Sequence, residues 1–238
     1  MDRKFYSSRY QEGDGYGHAT YNLDNFFRIY PVKRWLQQQH DIFLLDAGCG
    51  GGTFCRQVYE RLGGADRIRG VAGVDLVDEV KDPPSPDFHF AACNLNEESL
   101  PFEDGSFNLI FCNHVVEHLF NTEHLFSELY RVTKPGGLTV VSTPNLSWWI
   151  NRILLLLGLQ PVGTEVGTES ITYGMGLLSK RVEQFRPAGH IRCFTPAALR
   201  DMGELAGFRL AGWWRQDINK LQCCPALMRN FGIVLHRD

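Results

Sequence analysis

Apolar positions in this chain gather into short, mostly unbroken runs, and the stretches between them carry helical periodicity. The runs cover 42–46, 70–75, 88–92, 108–112 and 138–143, and their lack of strict alternation predicts strands buried on both faces. Helical patterns cover 52–62, 122–133 and 195–206. Strands alternating with helices predict an α/β fold, a parallel sheet with crossover helices. Lys134-Pro135-Gly136-Gly137 reads as a turn that stops one helix and feeds the strand at Leu138, because proline cannot extend a helix and glycine supplies unusual dihedrals. Thr195 as cap and Pro196 in the first turn start the last helix, and Gly207 closes it. Beyond it, 208–214 and 231–236 predict two final strands, a hairpin-like pair at the sheet edge.

Two regions stand outside the alternation, an N-terminal arm through about Tyr30 and an insertion over 145–190. Both are placed to cover a site at the carboxyl ends of the strands, where open α/β sheets bind ligands. The arm and first helix, 1–40, read as a lid over a ligand, with Tyr10, Tyr16 and Tyr21 as its aromatic face, and a packed surface arm is the equal alternative. Residues 41–238 form the main domain.

The candidate chemistry begins at Leu44-Leu45-Asp46-Ala47-Gly48-Cys49-Gly50-Gly51-Gly52-Thr53-Phe54, where an apolar strand runs into an amphipathic helix. Glycines there let the backbone approach a ligand, and the helix start offers amides and a positive dipole end. Asp46 selects among ligands, since a carboxylate repels a pyrophosphate and attracts an ammonium group. The third glycine of a dinucleotide fingerprint falls on Thr53, which disfavours a nicotinamide-dependent oxidoreductase. A second strand ends in Asp75, at about the spacing that places a carboxylate over a ribose.

Composition excludes several classes. A chain of 238 residues with 44% hydrophobic and 21% charged residues has enough apolar material for one large domain. A net charge of −3 without a Lys/Arg run argues against nucleic acid as a partner. The seven cysteines are odd in number and scattered in apolar runs, which predicts reduced core thiols. His190 and Cys193 have the look of half a metal site, but no second pair has ligand spacing, so no metal is expected. No apolar leader and no span of about 20 apolar residues is present, which predicts a cytoplasmic protein. The stretch 147–158 is the most apolar; it reads as a helix capping a pocket and buried by the insertion, with peripheral lipid contact as the alternative.

Taken in order, Asp46-Ala47-Gly48-Cys49-Gly50, Asp75, the run from Leu100 to Ile110, Glu117-His118-Leu119 and Lys134-Pro135-Gly136-Gly137 resemble class I S-adenosylmethionine-dependent methyltransferases, within the group that includes ubiquinone-biosynthesis and sugar-modifying enzymes. The resemblance implies a Rossmann-like sheet, mostly parallel with an antiparallel C-terminal edge strand, and S-adenosylmethionine as cofactor. It implies that Asp46, Gly48 and Gly50 hold the methionine end, Asp75 the ribose, Leu76 one face of the adenine, Asn94 and Leu95 its edge, and that Asn113 faces the reacting methyl. Asn94 stands where many relatives have Asp, and Asn108 replaces another frequent Asp. The implied acceptor is a small molecule or glycan, methylated more readily on oxygen than on nitrogen or carbon, and the oligomeric state is left open. An oxygen acceptor calls for a base near pH 7, for which His190 and then His114 are the candidates, with His118 read as locally hydrogen-bonded. The alternative is a non-catalytic cofactor-binding module acting through a partner protein.

Overall fold

The computed structural model describes residues 23–78, 80–81, 83–182, 186–216 and 227–238. The aromatic positions Tyr10, Tyr16 and Tyr21 and the pair Cys223 and Cys224 lie outside the described residues.

Seven strands form one sheet: β1 (Ile42–Ala47), β2 (Ile68–Asp75), β3 (His89–Ala92), β4 (Phe107–Asn113), β5 (Thr133–Pro144), β6 (Arg209–Arg215) and β7 (Asn230–His236), in the spatial order β3-β2-β1-β4-β5-β7-β6. The first five are parallel, and β7 runs antiparallel to both β5 and β6. The two last strands therefore sit at one end of the sheet as an antiparallel pair, with β7 one place in from the edge formed by β6. Among the described residues the α-helices are α1 (Leu23–Arg28), α2 (Tyr30–Gln38), α3 (Thr53–Arg61), α4 (Thr122–Val132), α5 (Trp149–Leu156), α6 (Ser179–Val182) and α7 (Pro196–Leu205).

Consecutive strand residues feed two separate cores, as burial on both faces demands. Leu45, Ile110 and Val141 pack with Leu125 and Leu129 of α4 and Leu199 of α7, whereas Leu44, Leu109 and Val140 pack with Phe26 of α1, Trp35 of α2 and Val58 of α3. Phe26 is fully buried, with its ring 5.1 Å from Phe111 and 5.6 Å from Trp214, both edge-on. Residues 23–38 thus form part of the core.

The helix ends follow the sequence. Thr195 caps α7 by accepting from Ala198 N–H (3.2 Å), and Gly207 ends it at φ +106°, close against Tyr130. The Lys134–Gly137 stretch differs from the expected turn. β5 already begins at Thr133, and the motif is a bulge inside it: Phe107 pairs with Thr133 but Leu109 pairs with Leu138. The bulge is held by Trp35, whose Nε1–H donates to Gly136 O (2.7 Å), and by Gly136 N–H donating to Arg237 O (2.7 Å).

Asn108 has a clear structural task. Its Oδ1 accepts from Phe43 N–H (2.8 Å) while its Nδ2 donates to Asp41 O (2.8 Å), a pairing that a carboxylate cannot complete.

Candidate active site

The carboxyl ends of β1, β2 and β4 deliver Asp46, Asp75 and Asn113 to one edge of the sheet. β1 and β4 are neighbours, and strand order runs away from them in opposite directions, which makes their ends the switch-point crevice of the fold. The loop after β1 can pass through this crevice only as glycine. Gly48 has φ +84°, and a Cβ there would lie 2.1 Å from Cγ2 of Val115. From the neighbouring strand Gly73 makes the matching room, since its Cβ would lie 2.7 Å from the Cys49 sulfur.

The amides of the glycine loop are spent on the neighbouring strand. The N–H groups of Gly48 and Cys49 donate to Val74 O (2.7 and 3.0 Å), and that of Gly50 donates to Asp75 Oδ2 (2.8 Å). The end of β2 runs alongside the loop and supplies these acceptors, so Gly48 and Gly50 leave room for a ligand while their N–H groups are already bonded. Asp75 also accepts from Leu76 N–H (2.7 Å) at its other oxygen. Burial pushes the Asp75 carboxyl up, and the backbone N–H groups of Gly50, Leu76 and Val77 partly offset this.

Asp46 is 2% exposed and has no hydrogen-bond donor among the described residues. Burial, aided by the charge of Asp75, holds its carboxyl well above the usual range. Asn113, also buried, accepts from Ser142 Oγ (2.9 Å) through its Oδ1, while its Nδ2 is buried without a partner. The other expected cofactor contacts are less open. Asn94 Oδ1 accepts from Asn96 N–H (3.1 Å) in a local turn, and the Leu95 side chain packs in the core with Cys93 and Leu100. Leu76 is half-buried next to Asp75.

Beyond β4 a second group of side chains lines a narrow cleft, which includes Glu117, Thr143, Gly163, Thr164, His190 and Arg192. The insertion is pinned shut at its base by a bridge between Asn145 and Phe194, and Asn151 of α5 spans it by exchanging two hydrogen bonds with Val162 (2.8 and 3.0 Å). Glu165 then clamps the returning chain: its carboxylate accepts from the N–H groups of Ala188 (2.7 Å), Gly189 (2.7 Å) and His190 (3.1 Å). This brings His190 to the cleft, its ring 5.1 Å from that of His118.

His114 is placed otherwise than a free base would be. At φ +52° it turns back from β4, with Nδ1 3.1 Å from Glu117 Oε1 and Nε2 3.0 Å from Gln216 Oε1. Both nitrogens are engaged, so it orients Glu117. The expected local bond of His118 is also replaced: its Nδ1 donates to Gly189 O (3.1 Å), 71 residues away. Burial would raise the Glu117 carboxyl, but the hydrogen bond from His114 and the fields of His114, His118 and His190 outweigh it and bring it to about 2. Burial holds His118 below the ordinary imidazole range.

Sequence reasoning missed Glu117, Thr143, Glu165 and Gln216. Only the adjacency of Glu117 to His118 carried a signal, and the rest meet through tertiary contacts. Of the cysteines expected in the core, Cys49, Cys55, Cys93 and Cys112 are buried, and Cys193 is exposed beside the cleft.

Comparison with known proteins agrees with this geometry. A family model described as a methyltransferase domain matches residues 28–211. A malonyl-[acyl-carrier protein] O-methyltransferase of Buchnera aphidicola is 32% identical over 139 residues, covering 55% of this chain and 53% of that protein. A ubiquinone biosynthesis O-methyltransferase of Psychrobacter arcticus is 29% identical over 196 residues, covering 78% and 64%. The chain spans about half the length of several curated relatives it matches. Among solved structures, a SAM-dependent methyltransferase from Aquifex aeolicus superposes with a TM-score of 0.59 at 13% identity, covering all of both chains, which establishes the shared fold. With the domain model matching residues 28–211 of the chain and the glycine loop, strand-end acids and mixed sheet in their places, this chain belongs to the class I S-adenosylmethionine-dependent methyltransferase family.

Proposed function

We propose that this chain methylates an oxygen atom of a small-molecule acceptor, with S-adenosylmethionine as methyl donor. The observation that carries the reading is the pairing of buried Asp46, which has no donor among the described residues, with the unpartnered Nδ2 of Asn113 at the mouth of a loop only glycine can form. These residues fit the cofactor. A buried carboxylate lacking a donor suits the amino group of the methionine end, and the Asn113 amide suits an acceptor atom on the same ligand. When bound, the sulfonium supplies an activated methyl, which leaves the protein to align the acceptor and exclude water. Asp75 would take a ribose hydroxyl on lone pairs not used by backbone, and Leu76 would lie against the adenine.

The cleft at Thr143, Gly163 and His190 is the acceptor side. Oxygen methylation is supported by the O-methyltransferase names of the relatives, and a glycan is retained as a further acceptor class. His190 is the sequence-predicted base that reaches this cleft, whereas His114 is a positioning residue for Glu117. Calorimetric titration with S-adenosylmethionine followed by mass spectrometry of a panel of hydroxylated and carboxylic acceptors tests the reading. A gain of one methyl on oxygen is expected; binding without turnover on any acceptor would favour the non-catalytic module instead.

A second reading concerns α5. No helix among the described residues is long and apolar enough to cross a membrane, yet Leu155, Leu156, Leu157 and Leu177 are exposed, Leu156 by 87% and Leu177 by 97%. The stretch expected to be buried by the insertion instead turns an apolar face outward and keeps only Asn151 and Leu154 buried. We infer peripheral contact with a lipid-borne acceptor. Flotation with phosphatidylglycerol-containing liposomes is expected for the native chain and lost in Leu156→Ser; a native chain that stays at the bottom of the gradient rejects it.

A further inference from the structure

From the juxtaposition of Glu117, His118 and His190 at the acceptor cleft, we propose that this chain binds a divalent first-row transition-metal ion there. One ligand atom from each of the three residues lies within 4.8 Å of the other two. Donors bound to one first-row ion at about 2.0–2.2 Å lie at most about 4.4 Å apart, so small side-chain rotations bring these three onto a common centre. A carboxylate with two imidazoles is a donor set for Zn2+, Mn2+, Fe2+ or Co2+, and two nitrogen donors disfavour Mg2+ and Ca2+.

Three independent features of the structure point to a ligand. Glu117 is 1% exposed, and its Oε2 is buried without a hydrogen-bond partner while Oε1 faces His114. An uncompensated carboxylate oxygen in the interior is costly, and a cation is the ligand that removes the cost. Both imidazoles are also set in one tautomer by backbone carbonyls, which can only accept. His118 Nδ1 lies 3.1 Å from Gly189 O and His190 Nδ1 lies 2.9 Å from Gly163 O, so the proton sits on that nitrogen and the lone pair on the other. Outer partners of this kind fix ring orientation and basicity in metal sites. His114, donating to Glu117, completes the same arrangement around the carboxylate. Finally, Glu117 and His190 both line the cleft, so an ion held there keeps a route to solvent and coordination positions for an outside oxygen.

The sequence suggests no metal because it holds no second Cys or His pair at ligand spacing. The partners of His190 are an acid and a histidine in the turn after β4, to which the Glu165 clamp brings it. If the methyl-transfer reading holds, on which this role rests, an acceptor hydroxyl on the ion would lose its proton to solvent more readily. His190 would then assist as a ligand in place of acting as a direct base.

The test needs no acceptor. The untagged 238-residue chain, stripped with chelator and dialysed, is titrated with Zn2+ and with Co2+. One ion per chain is expected, with d–d absorption bands for Co2+. Glu117→Gln and His190→Ala are each expected to weaken binding at least about tenfold, and His114→Ala about 10–100-fold through the carboxylate it orients. Circular dichroism shows whether each variant is folded. No binding to the native chain would overturn the proposal whatever the variants do, and equal binding by folded Glu117→Gln would place the ion elsewhere and overturn it too. Calorimetry with S-adenosylmethionine on the same metal-free chain separates this outcome from failure of the methyl-transfer reading, which predicts cofactor binding regardless of the ion.

Discussion

The two halves of the site are built by different means. On the cofactor side, Asp46, Gly48, Asp75 and Asn113 lie at or just past the ends of adjacent parallel strands, and what shapes the space is backbone: a glycine loop stitched to β2 by the N–H groups of Gly48, Cys49 and Gly50. On the acceptor side, Glu117, Thr143 and His190 come from three distant segments, and what shapes the space is a chain of side-chain bonds through Glu165, Asn151 and His114. A backbone-made pocket tolerates little change at its glycines and much change around them. A side-chain-made pocket can be re-cut one residue at a time, which suits a family that keeps its cofactor and varies its acceptor.

The comparison can be broken most decisively at Gly48. Gly48→Ala places a Cβ 2.1 Å from Val115 at φ +84°, and is expected to cost at least about 2 kcal/mol in urea unfolding and to abolish S-adenosylmethionine binding by calorimetry. Next is Asp46→Asn, which removes the charge but keeps the shape. A loss of about 2–5 kcal/mol in cofactor affinity is expected, and retained affinity would remove the electrostatic basis of the reading. The same residue predicts a pH dependence. Burial raises the free-state pKa, a bound cation lowers it again, and binding therefore releases a proton between the two values. Affinity should rise with pH across that window, proton release should appear as a dependence of the binding heat on buffer, and Asp46→Asn should lose both.

Glu165→Ala sharpens the contrast from the other side. Three N–H groups lose a charged acceptor, which should weaken local order by about 1.5–3 kcal/mol. Faster hydrogen exchange at Ala188, Gly189 and His190 and a raised acceptor KM are expected, with cofactor affinity unchanged. A matching loss of cofactor affinity would mean that the halves are not separable. The smallest expected effect is that of Asn108→Asp, about 1–3 kcal/mol of stability from a carboxylate turned on Asp41 O, with both halves of the site unaffected.

Short apolar runs, caps and glycines are local signals, and they located every strand and the helices α3, α4 and α7 to within a few residues, apart from the early start of β5. The exception has a local cause: Trp35 and Arg237 hold Gly136 in a bulge, so a Pro-Gly-Gly stretch that would otherwise turn stays within the strand. The glycine loop and the acids at strand ends were legible for the same reason, since strand length and loop chemistry fix where the chain must expose them. The direction of the Gly48 and Gly50 amides was not, because it depends on which strand lies alongside. His190 could be named as facing an acceptor, but its neighbours could not, because Glu117 and Glu165 reach it across 73 and 25 residues through folded contacts.

What the sequence alone determined is therefore the scaffold and the cofactor class, both written in patterns a few residues long that follow from strand burial and backbone freedom. What only the tertiary structure decided is how side chains far apart in the chain share their hydrogen bonds: that His114 serves Glu117, that His118 is held by Gly189, and that the apolar helix α5 faces outward. Those outcomes depend on which groups are left to satisfy one another once water is excluded, and no local pattern encodes that choice.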